Sequence, residues 1–565
     1  MKRLFPLAAL AAALAAAWLP LVPPHAIAGH SALADLVRGE AFHAAVAGGD
    51  RWPAWLPDLY DRHGSPLPSF YAPLSYLVVE VLRWGTGDGV AALKLAVVLF
   101  WIAGAAGAGA AARAAFGAGA GIPAAAAFAL APYLLADVYV RAGVAELAAL
   151  ALAPWGLAAL PSRSRRAAEA GALALAALVL AHNVTALLAL PALALVALAG
   201  GVPERRRALG VVAFALALSA FFWLPALAEK RFLWADESLT AGFFDYERHF
   251  VSPLDLLPFR TSLAFTVGPH ERSPFRFGEL LLAGVLAAPL LSRRLAAPAR
   301  RRALVLAAGA AVALVATTAL AAPLWRALPL ARFVQFPFRF FLLATVLAAP
   351  LVGLAVARAP ERWRPWLAGA VAAAALLLAR PALDVRYLFL ARATALPVPV
   401  AAAGLERALS DPALAEPGEL VTLERLRRAH WSATAGHEFL PRTVSELPAG
   451  PEAAAAEARG AGVEVLASEW GYPEVRAEIR VSAPGELALG QFWFPGWRVE
   501  VDGRARAARA EPGRGRILVA VAPGDRRVVA RFAATPLRRG AAAASIAVAA
   551  LGALLASRRK DPSAT

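Results

Sequence analysis

The chain has 565 residues, 59% of them hydrophobic, with a mean hydropathy of +0.57 and a formal net charge of +17. A soluble domain of this size does not need so much apolar surface, so the composition points to an integral membrane protein. The charge would suit nucleic acid, but the arginines fall in short runs between apolar segments and no binding motif accompanies them, which argues against nucleic acid as a partner. Cysteine is absent, which excludes disulfides, thiolate metal sites and thiol nucleophiles.

A membrane span needs about 20 apolar residues, fewer where flanking side chains snorkel. Taken in chain order, such stretches lie near 5–23, 90–112, 118–135, 143–160, 169–183, 185–201, 208–228, 278–292, 303–322, 338–357, 366–380 and 539–556. The basic clusters orient them: Lys2/Arg3, Arg113, Arg163/Arg165/Arg166, Arg205 to Arg207, Arg293 to Arg302, Arg358 to Arg364 and Arg558 to Lys560 all fall on one side. The expectation is about twelve spans with both termini cytoplasmic. Lys2-Arg3, the apolar run and Ala26-Ile27-Ala28 also resemble a signal peptide, but the run is longer than an h-region and reads as a retained span. Residues 71–84 are apolar yet short and carry Glu80 and Arg83, so they read as a helix lying at the outer surface.

Three segments then face outward: 25–89, 229–277 and 381–537. In the last, VEVLASE, EVRAEIRVSA, QFWFPGWRVEVDG and RILVAVAPGDRRVVARF alternate apolar and polar residues between Pro-Gly and Asp-Gly turns. This predicts a small β-sandwich after a mixed Ala/Glu/Pro segment. The fold class expected is mainly α, a polytopic membrane protein with that sandwich inserted before the last helix. Its parts are 1–380 as a multi-span domain, 381–537 as the extracytoplasmic domain, and 538–565 as the final span and cytoplasmic tail. FWFPGW holds too many rings for one sheet face. The surplus is expected to pack on the membrane-facing surface or on the loops above the spans, with a sugar-stacking platform as the alternative.

The polar residues gather on the outer side, where all nine histidines map. ADVYVRAGVAE (136–146) places Asp137 and Arg141 in a short outer loop, with Glu146 about one turn into the next span. An acid at a span edge is costly unless it faces a cavity or a partner, so the trio is a candidate site. A plain Arg141–Glu146 pair holding two helices together is the simpler alternative. The first loop adds His30, Asp35, Arg38 and Glu40, with Asp35 and Arg38 on one helical side. His182-Asn183 interrupt an apolar run, and taken alone His182 reads as a satisfied loop histidine. Arg332, Gln335 and Arg339 stand at the mouth of a later span. Metal-binding motifs, nucleophilic triads, P-loops and dinucleotide fingerprints are missing, and Asp58 and Asp61 come closest to a paired-acid motif. Carboxylates and arginines at a membrane surface suit transfer from a phosphate-linked lipid donor, the acid taking a proton and the guanidinium fork holding phosphate.

GHSALADLVRGEAF, GSPLPSFYAPLSY, DVYVRAGVAE, AHNVTALLALP, QFPFRFF, HEFLPR and FWFPGWRVEVDG, in this order, resemble the bacterial membrane proteins labelled 6-pyruvoyl-tetrahydropterin synthase-related. That family is in turn similar to the GT-C glycosyltransferases, polytopic enzymes that use polyprenyl-phosphate-linked sugars. The resemblance implies a GT-C-like fold, an inner-membrane location, membrane lipids and a polyprenyl-phosphate-linked donor as partners, and no pterin. It leaves the metal open, with a divalent cation as the candidate, and says nothing of oligomeric state. It also implies a first-loop acid near Ser31 or Asp35. The family often has Gly-His-Asp where this chain has Gly29-His30-Ser31, and Asp35 is the nearest acid, one turn on. Asp137 corresponds to a second-loop acid, with Arg141 and Glu146 following. The expected function is sugar transfer at the outer face. Asp35, Asp137 and Glu146 would be catalytic. His30, Arg38, Arg141, His182, Asn183, Arg332, Gln335 and Arg339 would be substrate-binding. The departure at Ser31 motivates the alternative, a non-enzymatic membrane protein that binds or presents envelope glycans or lipids.

Overall fold

The computed structural model describes residues 4–162, 164–198, 202–256, 275–383, 437–447, 454–472 and 474–557, together with 385, 387–388, 390–391 and 421–422. Lys2, Arg3, Arg163, Arg558 to Lys560, part of the 229–277 loop and most of the Ala/Glu/Pro segment lie outside the described residues. The chain is mostly helical, with a β-sheet region toward its C-terminus.

The first half is built from α1 (Phe5–Trp18), α2 (Ala32–Ala47), α3 (Leu74–Thr86), α4 (Gly89–Phe116), α5 (Gly121–Ala129), α6 (Val144–Ala159), α7 (Arg165–Ala181) and α8 (Asn183–Leu198). There follow α9 (Val202–Leu218), α10 (Ala220–Glu229), α11 (Glu279–Ser292), α12 (Ala297–Ala316), α13 (Phe340–Ala357), α14 (Arg364–Ala379) and, after the sheets, α15 (Pro536–Ser557). Each stretch expected to span carries helix, and 71–84 is helical from Leu74 on. Among the described residues four helical segments are long and apolar enough to cross a membrane alone, or six if each of two bent pairs is one span. Five further apolar helices have 10–17 residues, so helix length by itself does not yield the expected twelve.

Local chemistry sets the breaks. The Asp88 carboxylate caps α4 by accepting from the Ala91 N–H at 2.7 Å. Ala131 is extended (φ −63°, ψ 134°), as the residue before Pro132 must be to avoid the ring, and α5 ends there. Between α9 and α10 the axis turns by 67° at Ser219. The Ser219 hydroxyl donates back to Ala215 O at 2.8 Å. The Ser545 hydroxyl of α15 accepts from the Phe221 N–H at 3.0 Å and donates to Ala217 O at 3.1 Å, so a third helix satisfies the groups that the bend leaves open.

Nine strands follow: β1 (Ala456–Arg459), β2 (Val463–Trp470), β3 (Glu474–Val481), β4 (Gly485–Phe492), β5 (Trp497–Val501), β6 (Arg504–Arg506), β7 (Ala508–Ala510), β8 (Arg516–Val521) and β9 (Arg527–Phe532). They form two antiparallel sheets, ordered β6-β5-β9-β3-β2 and β7-β8-β4-β1. Val475, Ile479 and Val528 of one sheet share an apolar cluster with Leu487, Leu489 and Ile517 of the other. β3 alternates buried and exposed residues over most of its length, the period-two signal seen in its sequence. Arg516 is buried but paired, its Nε at 2.6 Å from Glu511 Oε2 and its Nη2 at 2.8 Å from Glu457 Oε2.

The surplus rings dock on the first loop. Phe492 and Phe494 are fully buried in a cluster with Trp55, Tyr60 and Phe70, and not in the core between the sheets. The indole N–H of Trp55 donates to Gln491 Oε1 at 2.5 Å, and Gln491 Nε2 donates to Arg62 O at 2.5 Å. Tyr60, Asp61 and Arg62 all take positive φ, and Gly64 (φ +81°) follows; a Cβ there would meet both Trp55 and Gln491 at 2.3 Å. Trp497 bridges the two clusters, whereas Trp493 packs on the intersheet side.

Candidate functional site

The polar loops meet where α2 lies against the link between α5 and α6. After Pro132 the chain makes one short helical turn and then a single π-helical turn, Asp137–Arg141. Such turns widen the helix and re-aim side chains. Ala142 closes it at φ +52°, and the Gly143 N–H reaches back to Asp137 O at 3.0 Å. The first loop is pinned alongside, with the His30 N–H donating to Val140 O at 3.1 Å and the Ser31 N–H to Arg141 O at 2.8 Å. Gly29 permits this approach, since a Cβ there would lie 2.8 Å from both Val140 O and the Ala142 Cβ. Gly143 is constrained likewise, its notional Cβ being 2.9 Å from Asp137 Oδ1.

Arg141 Nη1 lies 3.0 Å from Asp137 Oδ1 and 2.5 Å from Glu146 Oε2. Arg339 Nε approaches the same Glu146 oxygen at 3.4 Å, and the Tyr133 hydroxyl donates to Glu146 Oε1. Arg339 is aimed by Gln335 Oε1 and Val334 O, each accepting from its Nη1 at 2.8 Å. Gln335 adopts φ +66°, ψ −50°, and the Phe336 N–H bonds Val334 O at 2.7 Å, a γ-turn of the rare, strained hand.

Asp35 comes in from α2. Tyr76 of α3 donates to its Oδ1 at 3.2 Å, Arg38 Nη1 stands 3.9 Å away, and the Val144 backbone N–H also hydrogen-bonds its carboxylate. Arg141 lies close enough to act on it electrostatically. Burial pushes the Asp35 carboxyl up to about 6, and the Arg38 guanidinium pulls in the opposite direction. Arg38 lies over the Tyr71 ring at 4.8 Å, and its Nη2 stands 4.0 Å from Glu438 Oε1 of the HEFLPR segment.

Seven of the expected residues therefore converge: Asp35, Arg38, Asp137, Arg141, Glu146, Gln335 and Arg339. The other four are held chiefly by other contacts. His30 contributes its backbone and its side chain is exposed. His182 Nδ1 accepts from the Thr185 N–H at 3.3 Å and meets Thr185 Oγ1 at 2.8 Å, which caps α8, and the ring lies close enough to Glu146, Arg141 and Arg339 to interact with them electrostatically. Asn183 Nδ2 donates to Phe70 O at 2.7 Å and ties α8 to the first loop. Arg332 is exposed with its guanidinium 5.0 Å over Phe333, outside the network. Sequence reasoning missed Tyr76 and Tyr133, which sit in apolar runs, and gave no role to Tyr71 or Glu438.

Beside the network lies an apolar cleft of ≈ 490 Å³ lined by Leu21, Leu36, Leu93, Val97, Leu147 and Asp137. Asp137 Oδ2 is buried with no hydrogen-bond partner among the described residues. A divalent cation would need several converging oxygens, but Glu146 is enclosed by two guanidinium groups and a phenol, and Asp137 Oδ1 is taken by Arg141. Among the described residues no three His, Asp or Glu side chains come together to hold a metal. The donor set does not fit the ion.

Residues 69–388, more than half of the chain, match the model of the 6-pyruvoyl-tetrahydropterin synthase related domain, described as a membrane protein. The chain belongs to that membrane protein family. No protein of curated function matches. Among solved structures, the chain is similar to the arabinofuranosyltransferase AftD from Mycobacteria, with 22% identity over 67% of this chain and a TM-score of 0.42. It spans 26% of the AftD chain, about a quarter of its length. It is also similar to ArnT from Cupriavidus metallidurans, with 17% identity, 62% of this chain and 76% of that one covered, and a TM-score of 0.29.

Proposed function

We propose that this membrane protein transfers a sugar from a polyprenyl-phosphate-linked donor to a hydroxyl acceptor at the outer face of the bacterial inner membrane, with the β-sheet domain on that side. The carrying observation is Asp35, a buried carboxyl poised near neutrality next to Arg38, Arg141 and an apolar cleft. Asp35 accepts the acceptor's hydroxyl proton. The acceptor oxygen bonds to the anomeric carbon as the bond from that carbon to phosphate breaks, and polyprenyl phosphate leaves. A single displacement inverts the anomeric centre.

Acids and arginines interleave here, with Asp35, Asp137, Glu146 and Glu438 facing Arg38, Arg141 and Arg339. Arg38 and Arg141 are the forks that meet the phosphate. Glu146, enclosed by Arg141, Arg339 and Tyr133, is a positioning residue, and Asp137 offers its unpartnered oxygen to the acceptor. The cleft takes the first isoprene units.

The test is transfer of labelled sugar by purified protein from a polyprenyl-phosphate donor. Asp35→Asn and Asp137→Asn are each expected to remove turnover while donor binding persists. Full activity in both variants refutes the reading. The alternative, a protein that binds lipid-linked glycans without turnover, rests on the departure at Ser31 alone, because the rings offered as a sugar platform are largely buried against the first loop.

A further inference from the structure

A second cavity lies at the opposite end of the helices, among the basic turns. It is a crevice of ≈ 520 Å³, open to solvent in part, between α4, α6, α8, α12 and α13, with Ala111, Leu157, Ala197, Leu306 and Pro350 in its wall. Its mouth is an ion pair, Arg302 Nη2 to Glu204 Oε1 at 3.0 Å, and both side chains are partly exposed. Beside it Arg207 Nη1 donates to Ser162 O at 2.5 Å, tying the start of α9 to the turn after α6. Six arginines (205, 206, 207, 300, 301 and 302) stand on these two helix starts against the single acid Glu204. Arg205, Arg206, Arg300 and Arg301 are exposed.

An apolar crevice whose rim is strongly positive is complementary to a molecule with an acyl chain and an anionic head. Glu204 occupies one guanidinium nitrogen of Arg302, and an arginine has further N–H groups in the same fork with which to bind phosphate oxygens. Zwitterionic lipid would set its ammonium against the surplus of arginines. We propose that this crevice is a binding site for one anionic diacyl phospholipid, with an acyl chain between α8 and α12 and its phosphate on Arg302. The site is separate from the outer network and does not depend on the transferase reading.

The experiment uses the full chain purified in detergent, with retained lipid counted by native mass spectrometry after addition of phosphatidylglycerol, phosphatidylcholine or polyprenyl phosphate. Phosphatidylglycerol is expected to be retained over phosphatidylcholine by about fivefold or more, as roughly one arginine contact provides. Arg302→Gln is expected to erase that preference, and Ala197→Phe, which fills the crevice, to lower retention of either lipid. Unfolding temperatures without lipid check that both variants fold. Equal retention of the two phospholipids by the native protein overturns the proposal, as does an undiminished preference in Arg302→Gln or preferential retention of polyprenyl phosphate. If Arg302→Gln does not fold, undiminished retention in Ala197→Phe overturns it alone.

Discussion

Asp35→Asn is expected to have opposite effects on activity and stability. The folded carboxyl titrates at about 6 against 3.8 for a free one, because burial disfavours its charged form. That difference corresponds to about 3 kcal/mol between the two protonation states. The sign follows from proton counting. Between these two values the folded state holds a proton that the unfolded chain has lost, so this group's contribution is fully present below about 3.8 and lost as pH rises through about 6. At pH 7 the native protein bears nearly the full cost of an ionised Asp35. Asparagine, shaped like the neutral acid, removes it. The variant should therefore unfold at a higher temperature than the native protein at pH 7, by an amount reflecting up to about 3 kcal/mol, and match it near pH 4. Transfer by the native protein should fall about fivefold from pH 6 to pH 5 as the base protonates, with kcat/KM reporting the free enzyme. Thermal unfolding at the two pH values and the acid limb of kcat/KM are the measurements. An Asn variant less stable at pH 7 than the native protein, or an acid limb near 4, refutes the reasoning.

Glu146→Ala should lower stability by about 3–5 kcal/mol, since it leaves Arg141 and Arg339 buried beside each other without their shared acid; unfolding of detergent-solubilised protein measures it, and a loss under 1 kcal/mol would mean that water already reaches the guanidiniums. Phe494→Ala should cost about 3–5 kcal/mol and expose residues 50–70 to hydrogen exchange, because its ring fills the space among Trp55, Phe70 and Phe232; unchanged protection there would show that the sheets are held elsewhere. A reporter fused after Arg166 or Arg302 should read cytoplasmic, and one fused after Gly89 or within 440–520 periplasmic. A cytoplasmic signal at Gly89 would place Asp137 on the wrong side for the proposed chemistry.

Much of this architecture is written locally. Apolar run length located the helices, alternation located the strands, and isolated charges in greasy text located Asp137, Arg141 and Glu146. Partners brought from distant segments are not written locally. Tyr133 and Tyr76 sit in stretches whose hydropathy outweighs a single hydroxyl, and only the fold shows that each hydroxyl donates to a carboxylate. Arg332 and Arg339 stand in the sequence at the mouth of one span, but the γ-turn at Gln335 intervenes and leaves Arg332 outside. The bends after α9 and α12 were also invisible, because a kinked apolar run and a straight one have the same composition.

The Ser545 hydroxyl sets an order on biogenesis. The Phe221 N–H is bonded by a side chain 324 positions later, beyond the whole sheet region. In hydrocarbon an amide without an acceptor costs several kcal/mol, so α9 and α10 cannot hold their 67° bend in a nascent chain that lacks α15. Until the ribosome has delivered residue 545, the straighter, self-bonded helix is the favoured form. The last step in folding this region therefore waits for α15, and a chain truncated after β9 is expected to reach the membrane with that corner unformed.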